Sequence, residues 1–272
     1  MSAFAAVWLD LREPADRRAR NADLMAAVAR HFRDRTQIAV TDLGCGTGAT
    51  LRVLAPHLPA RQHWRLVDRD PDLLAAIEQR CDGRLPVTQA IAWQAHPADV
   101  QSDLEVVMAL PADLVTLSAF LDLTSSAWLE RMATAADVHR RPIYATLTYD
   151  GRIAWEPADP FDSQVWRAFN AHQERDKGFG GALGPLAAAR LIECLAAHDF
   201  TVHHATADWM LGGHEAGLQA ELVKGWHQAA SEQDVLDRHD LDRWRERRLE
   251  AVQAGRARIT VGHVDIWALP TR

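Results

Sequence analysis

Hydrophobic residues recur along this chain with two periods. Leu24, Val28 and Phe32 fall on one helical stripe and Pro14 suits a first turn, which predicts a helix over residues 14–33. Residues 37–43 are apolar and β-branched and predict a strand; helical character resumes over 47–55. A second strand over 64–67 ends in Asp68, and Leu73, Leu74 and Ile77 mark one face of a helix over 71–81. Further strands are predicted over 87–95, 113–118, 142–148, 200–207 and 259–269. Helices are predicted over 125–138 and 185–197, with a helical pair over 213–254.

Strands alternating with helices predict a mostly parallel sheet covered on both faces, doubly wound because crossovers are right-handed. Two stretches interrupt the alternation. Residues 151–184 split the fifth strand–helix unit, and residues 212–255 separate the last two strands. No repeat, low-complexity tract or clear linker divides the chain. Residues 1–272 therefore read as one domain with two insertions, fronted by a helical lid over 1–35.

Composition narrows the class. Apolar residues make up 48% and charged residues 25%, an ordinary globular mix that excludes a disordered or fibrous chain. A net charge of −7 argues against a protein that wraps nucleic acid through its overall charge. Cys45, Cys81 and Cys194 are odd in number and widely spaced, which points to a reducing, cytoplasmic setting without disulfides or a zinc ribbon. The apolar start 3–9 is interrupted by Asp10, Arg12 and Glu13, too early for a secretion signal. No run approaches the ~20 apolar residues of a membrane span.

The sharpest chemical signal is Val40-Thr41-Asp42-Leu43-Gly44-Cys45-Gly46-Thr47-Gly48-Ala49-Thr50, which ends the first strand and opens a helix. Glycines there permit tight turning and let a ligand approach bare backbone. Gly44-x-Gly46-x-x-Ala49 also satisfies the dinucleotide fingerprint, so the glycines alone leave the ligand open. Asp42 separates the readings. Its carboxylate would repel a diphosphate held on the loop, but attract the sulfonium and ammonium of S-adenosylmethionine (SAM). Asp68 can accept both hydroxyls of a ribose and serves either cofactor. Asp70, before Pro71, is the better helix N-cap.

Asp42-Leu43-Gly44-Cys45-Gly46-Thr47-Gly48 resembles motif I of the class I SAM-dependent methyltransferases. Leu66-Val67-Asp68 resembles their second motif, and Ala112-Asp113-Leu114-Val115-Thr116-Leu117-Ser118 their fourth-strand motif. The match in strand order covers most of the chain from Gln37 onward. The resemblance implies a Rossmann-like α/β fold: a doubly wound, seven-stranded, mostly parallel sheet in order 3-2-1-4-5-7-6, with strand seven antiparallel, helices on both faces and helical insertions. It implies SAM as cofactor and S-adenosylhomocysteine as product. Gly44, Gly46 and Gly48, with Cys45, would pass under the methionine part. Asp42 would lie near its amino group and Asp68 at the ribose. Asp99, in Pro97-Ala98-Asp99-Val100, best matches the acid that meets the adenine amine, although 89–109 departs from the usual short form. Ser118 and Phe120 would border the sulfonium, and Arg20 and Arg69 complete the expected cofactor contacts.

Ligands in such sheets bind outside the carboxyl ends of the strands. On that side the insertion carries Asn170, His172, Gln173 and Lys177 beside Trp166, Phe169 and Phe179, followed by four glycines over 178–184. A helix would align Trp166, Asn170, Gln173 and Lys177 on one face, and the glycines suggest a mobile or tightly folded lid. A hydroxyl or amine acceptor must lose a proton. His172 is the first candidate base, with Asp122 and Tyr149 as alternatives after strand ends. A carboxylate acceptor would instead need a cation, such as Lys177, Arg12 or Arg20. Asn170, Gln173, Lys177, Trp155 and Trp209 are the candidate substrate contacts. Ten tryptophans against two tyrosines are unusual, and Trp155, Trp166 and Trp209 fall nearest the substrate side. His96, His214 and His263 show no metal-ligand spacing, so no metal is expected. The arginines 243, 245, 247 and 248 among acids read as a solvated helix face.

These features predict a methyltransferase that acts on a small-molecule O, N or carboxylate acceptor by in-line displacement. The alternatives are a methyltransferase for RNA, DNA or protein, a NAD-dependent oxidoreductase, and a SAM-binding protein that transfers no methyl. Ser118-Ala119-Phe120-Leu121 lacks the Asp/Asn-Pro-Pro-aromatic motif of many amine-modifying nucleic-acid and glutamine methyltransferases. The resemblance leaves acceptor and oligomeric state open.

Overall fold

Helical periodicity first breaks at Asn21, not at Pro14. In the computed structural model, which describes residues 2–271, α1 (Ser2–Ala19) continues through Pro14 and α2 (Ala22–Phe32) starts afresh after Asn21. Asn21 caps α2 by accepting from the Leu24 amide, and its own amide donates to Asp265 Oδ2 at 2.8 Å. The single helix expected over 14–33 is therefore two, and the first begins earlier.

The chain continues through β1 (Gln37–Leu43), α3 (Ala49–Leu54), β2 (Arg61–Asp68), α4 (Pro71–Ala75), α5 (Ile77–Cys81), β3 (Ala90–Pro97), α6 (Leu104–Ala109) and β4 (Leu114–Ser118). It then forms α7 (Ser126–Val138), β5 (Ile143–Glu156), α8 (Asp162–Gln173), α9 (Ala187–Ala197), β6 (Phe200–Thr206) and β7 (Trp209–Leu211). It closes with α10 (Ala216–Gln233), α11 (Arg238–Gln253) and β8 (Arg258–Pro270).

The sheet has eight strands in the order β3-β2-β1-β4-β5-β8-β6, with β7 also paired to β8. β1 to β5 pair in parallel, and β8 runs antiparallel to β5, β6 and β7. This is the expected order, with β8 as the antiparallel strand seven and one short extra strand. β5 is longer than expected because β8, at 13 residues, still offers it a partner beyond Thr148. The first residues assigned to the 151–184 insertion are therefore sheet.

The β5–β8 register shifts between Ala145 and Thr148, where Leu147 adopts φ +55°. The Leu147 amide donates to Asp265 Oδ1 at 2.7 Å. Buried Asp265 thus ties two irregularities together, the β5 bulge and the α1–α2 junction. Burial pushes its carboxyl above the usual range, against the stabilising pull of those two amides.

Two apolar cores lie on the sheet's faces. One packs Leu129, Met132 and Leu191 of α7 and α9 on β4 and β5; the other packs Val28 and Phe32 of α2 with Leu51 and Leu54 of α3 on β1 and β2. A third core joins the insertions through Trp155, Trp209, Trp226 and Trp244. Each large apolar side chain buried there contributes ~1.5–3 kcal/mol, enough to fix α10 and α11 firmly. Arg248, expected on a solvated face, is buried and bonds Asp162 and the Pro157 carbonyl.

Candidate functional site

The carboxyl ends of β1, β2 and β4 open onto a cavity of about 320 Å³. Its floor is the glycine loop. Gly44 holds φ +64°, and a Cβ there would lie 2.7 Å from the Phe120 ring, so only glycine fits. Gly48, at φ +80°, caps α3. The Cys45 amide donates to Val67 O at 2.9 Å, which pins the loop to β2. Burial raises the Cys45 thiol well above its ordinary pKa, so its part there is backbone and packing.

Asp68 leaves the end of β2 beside this loop. Its Oδ2 accepts from the Gly46 amide at 2.8 Å and its Oδ1 from the Asp70 amide at 3.0 Å. Asp70 caps α4, as expected from Pro71. Arg69 and Asp99 face each other across the cavity rim, with Arg69 Nη1 3.8 Å from Asp99 Oδ2.

Asp42 lies one layer below. It is buried, and its Oδ1 accepts from Thr116 Oγ1 at 2.6 Å while Oδ2 has no partner. Burial raises its carboxyl to about 7, opposed by the Thr116 hydrogen bond and the Arg20 charge. Arg20, from the α1–α2 junction, is also buried. It donates to three hydroxyls: Thr146 at 2.6 Å, Ser118 at 3.0 Å and Thr50 at 3.4 Å. No carboxylate lies within ion-pair distance of it among the described residues, and its Nε has no partner. Ser118 and Thr50 are on the cavity wall, so this guanidinium sits directly behind it.

α1 forms the outer wall, through Trp8, Leu9, Arg12 and Asp16. Leu9 approaches the position a Gly46 Cβ would take, at 3.1 Å. Trp8, Leu9 and Asp16 are additions to the residues expected from sequence. Their signal was available: residues 8, 12 and 16 share one helix face. α1 is fixed by charge as well as by packing of Trp8, Leu11, Ala15 and Ala19 on the third core. Arg52 of α3, its side chain fully buried, donates to Glu13 at 2.7 and 2.9 Å, and Arg80 of α5 pairs with Asp10.

The fourth side is aromatic. Phe120, Trp128 and Phe179 meet edge to face with centroids 5.5 to 5.8 Å apart. Phe179 comes from the glycine-rich loop, folded where Asp176 accepts the Gly178 and Gly180 amides at 2.7 and 3.0 Å. Lys177 reaches the cavity from this loop, not from a helix face, because α8 ends at Gln173.

Of the expected site residues, Gly44, Cys45, Gly46, Asp68, Arg69, Asp99, Ser118 and Lys177 line this one cavity. Others lie elsewhere. His172 points to α10, where Nε2 pairs with Glu232 at 2.8 Å, so it is not beside the cofactor loop. Tyr149 is buried; its hydroxyl donates to Asn170 Oδ1 at 2.7 Å, and burial holds the phenol protonated. Asn170 spends its amide on Gly151 O at 3.1 Å, and Gln173 packs on Gly184. Trp155 belongs to the third core against Trp226 and Trp244, not to a substrate face. Trp209 is buried behind the wall, donating to Asp16 Oδ1 at 3.0 Å beneath the Arg12 guanidinium. These residues lie off the cavity for one reason: sequence shows which strand end they follow, not which way each side chain turns.

Asp122 falls between Phe120 and Leu123 in sequence, both on the wall, but is not itself among the lining residues. Burial raises its carboxyl to about 6, opposed by its own backbone amide and by the charges of Arg12 and Lys177.

The strand order, with one antiparallel strand beside the edge, is that of a doubly wound Rossmann-like α/β sheet. No protein-family model matches the sequence, and no curated protein matches it. Among solved structures, the YcgJ protein of Bacillus subtilis aligns over 93% of this chain and 100% of its own, with TM-score 0.51 and 11% identity. The cyclopropane synthase MmaA2 from Mycobacterium tuberculosis covers 90% of this chain and 82% of its own, at TM-score 0.47 and 11% identity. Geranyl diphosphate methyltransferase in complex with SAM covers 90% and 85%, at TM-score 0.41 and 11% identity. At such identities the likeness is one of fold.

Proposed function

We propose that this chain is a SAM-dependent methyltransferase for a small-molecule acceptor. The observation that carries the reading is an acidic cradle: the glycine loop lies between buried Asp42 below and Asp68 beside it. Two carboxylates there suit a cationic cofactor and disfavour a diphosphate. Asp68 keeps lone pairs for ribose hydroxyls beyond the two amides it now accepts. Asp99 and Arg69 would flank the adenine. Arg20, without a carboxylate partner, suits the cofactor's carboxylate through the Ser118 and Thr50 side of the wall. When bound, SAM supplies an electrophilic methyl carbon on sulfonium.

The protein's own contribution is alignment, dryness and proton removal. Phe120, Phe179, Trp8 and Leu9 exclude water from the reacting centre. Asp122, adjacent in sequence to the lining residue Leu123, is the base this reading favours over His172, which turns away toward Glu232. The volume of about 320 Å³ is at the low end of the ~300–1,000 Å³ typical of ligand pockets, so cofactor and acceptor together require the wall to move. α1, which forms the outer wall, is the part that moves in this reading. An acceptor that must pass beneath this helix is small.

The test is incubation with methyl-labelled SAM and fractionated cell extract, read by mass spectrometry. Label is expected in a metabolite fraction. Label confined to RNA or protein would overturn the small-molecule reading, and failure to bind SAM at all would overturn the whole assignment.

A further inference from the structure

The cavity is lined by three cations, Arg12, Arg69 and Lys177, and three acids, Asp16, Asp68 and Asp99, but one of the cations is left unpaired. Arg12 is satisfied by Asp16, donating from Nε at 2.9 Å and Nη2 at 3.2 Å. Arg69 has Asp99. Asp68 is occupied by loop amides. Lys177 lines the same cavity and makes no ion pair or side-chain hydrogen bond among the described residues. Asp122 and Glu232 act on it only at longer range, and Arg175 opposes them. A partly buried ammonium without a counter-ion is costly, because lost hydration is not replaced. Arg12 keeps Nη1 unbonded on the same wall.

Around these two cations the wall is apolar and aromatic: Trp8, Leu9, Phe120, Leu123 and Phe179. In the proposed function the cofactor's own carboxylate falls to Arg20, which lies behind Ser118. We infer that the methyl acceptor is an amphipathic anion. Its carboxylate or phosphate is read by Lys177, with Arg12 beside it, and its apolar body packs on the aromatic wall. Lys177 is then a specificity residue, and the glycine-rich loop that carries it closes over the acceptor. This inference rests on the SAM reading and names the class of acceptor that reading leaves open.

The test uses the whole chain loaded with S-adenosylhomocysteine and three probes of one size class: phenylacetate, phenyl phosphate and phenylacetamide. Thermal shift and calorimetric titration should show phenylacetate or phenyl phosphate stabilising the loaded protein, and phenylacetamide not. Whichever anion binds names the acidic group. Lys177→Gln should weaken that anion about tenfold or more while leaving S-adenosylhomocysteine affinity unchanged, since a charge-assisted contact is lost. Lys177→Arg should retain it. Equal stabilisation by acid and amide, no stabilisation by either anion, or an unaltered Lys177→Gln variant would overturn the inference while the cofactor reading stands. Absence of S-adenosylhomocysteine binding would remove both.

Discussion

At the scale of single residues, burial decides the chemistry of this site. Asp42 is raised to about 7 from 3.8, so between those values the folded chain holds a proton that the unfolded chain has lost. Its effect on stability therefore declines as pH rises from about 4 to about 7. A bound cation favours the carboxylate form, so SAM affinity should strengthen as pH rises through 7. Each pH unit below that is worth about 1.4 kcal/mol, or roughly tenfold in Kd. Calorimetry between pH 6 and 8 should show this slope in the native protein and its loss in Asp42→Asn. His263 behaves in the opposite sense. Burial first, then the Arg12 charge, lowers it from 6.5 to about 3, so unfolding takes up a proton and stability falls as pH drops below 6.5. His263→Phe should flatten the acid limb of a Tm-against-pH curve. Gly44→Ala would set a Cβ 2.7 Å from the Phe120 ring at φ +64°, and should cost about 1–3 kcal/mol and abolish S-adenosylhomocysteine binding.

Among elements, α1 combines half-buried apolar packing with a buried ion pair. α10 and α11 bury Trp226 and Trp244, whereas α1 buries Ala15, packs Trp8, Leu11 and Ala19 against the same core half-buried, and adds ion pairs. The Glu13–Arg52 pair is its buried anchor. Glu13→Gln leaves the Arg52 guanidinium buried without its charge partner, a change worth about 3–5 kcal/mol. Limited proteolysis should then cut within α1 faster and S-adenosylhomocysteine affinity should fall; unchanged protection would mean that α1 is held by packing. The same helix marks where local pattern misleads. Pro14 reads as a helix start, yet the start of α2 depends on Asp265, far along the chain, which meets the Asn21 amide. The extension of β5 likewise depends on β8.

The whole molecule offers the broadest measurement. Ligands that bind only the folded chain stabilise it by mass action, about 2.7 kcal/mol at a hundredfold excess over Kd. S-adenosylhomocysteine should raise Tm by that mechanism and NAD should not; stabilisation by NAD alone would refute the acidic-cradle argument.

Local sequence was enough for the alternating α/β architecture, the glycine loop and the placing of Asp68 and Asp70 at a strand end. These depend on periodicity, turn chemistry and capping, which act over a few residues. Tertiary structure decided the rest. It turned His172 toward Glu232, buried Trp155 among other tryptophans, drew Arg20 in behind Ser118, and brought Lys177 to the wall opposite α1. Those outcomes depend on which distant charge or aromatic face each side chain meets, and packing settles such meetings between elements that share no local pattern.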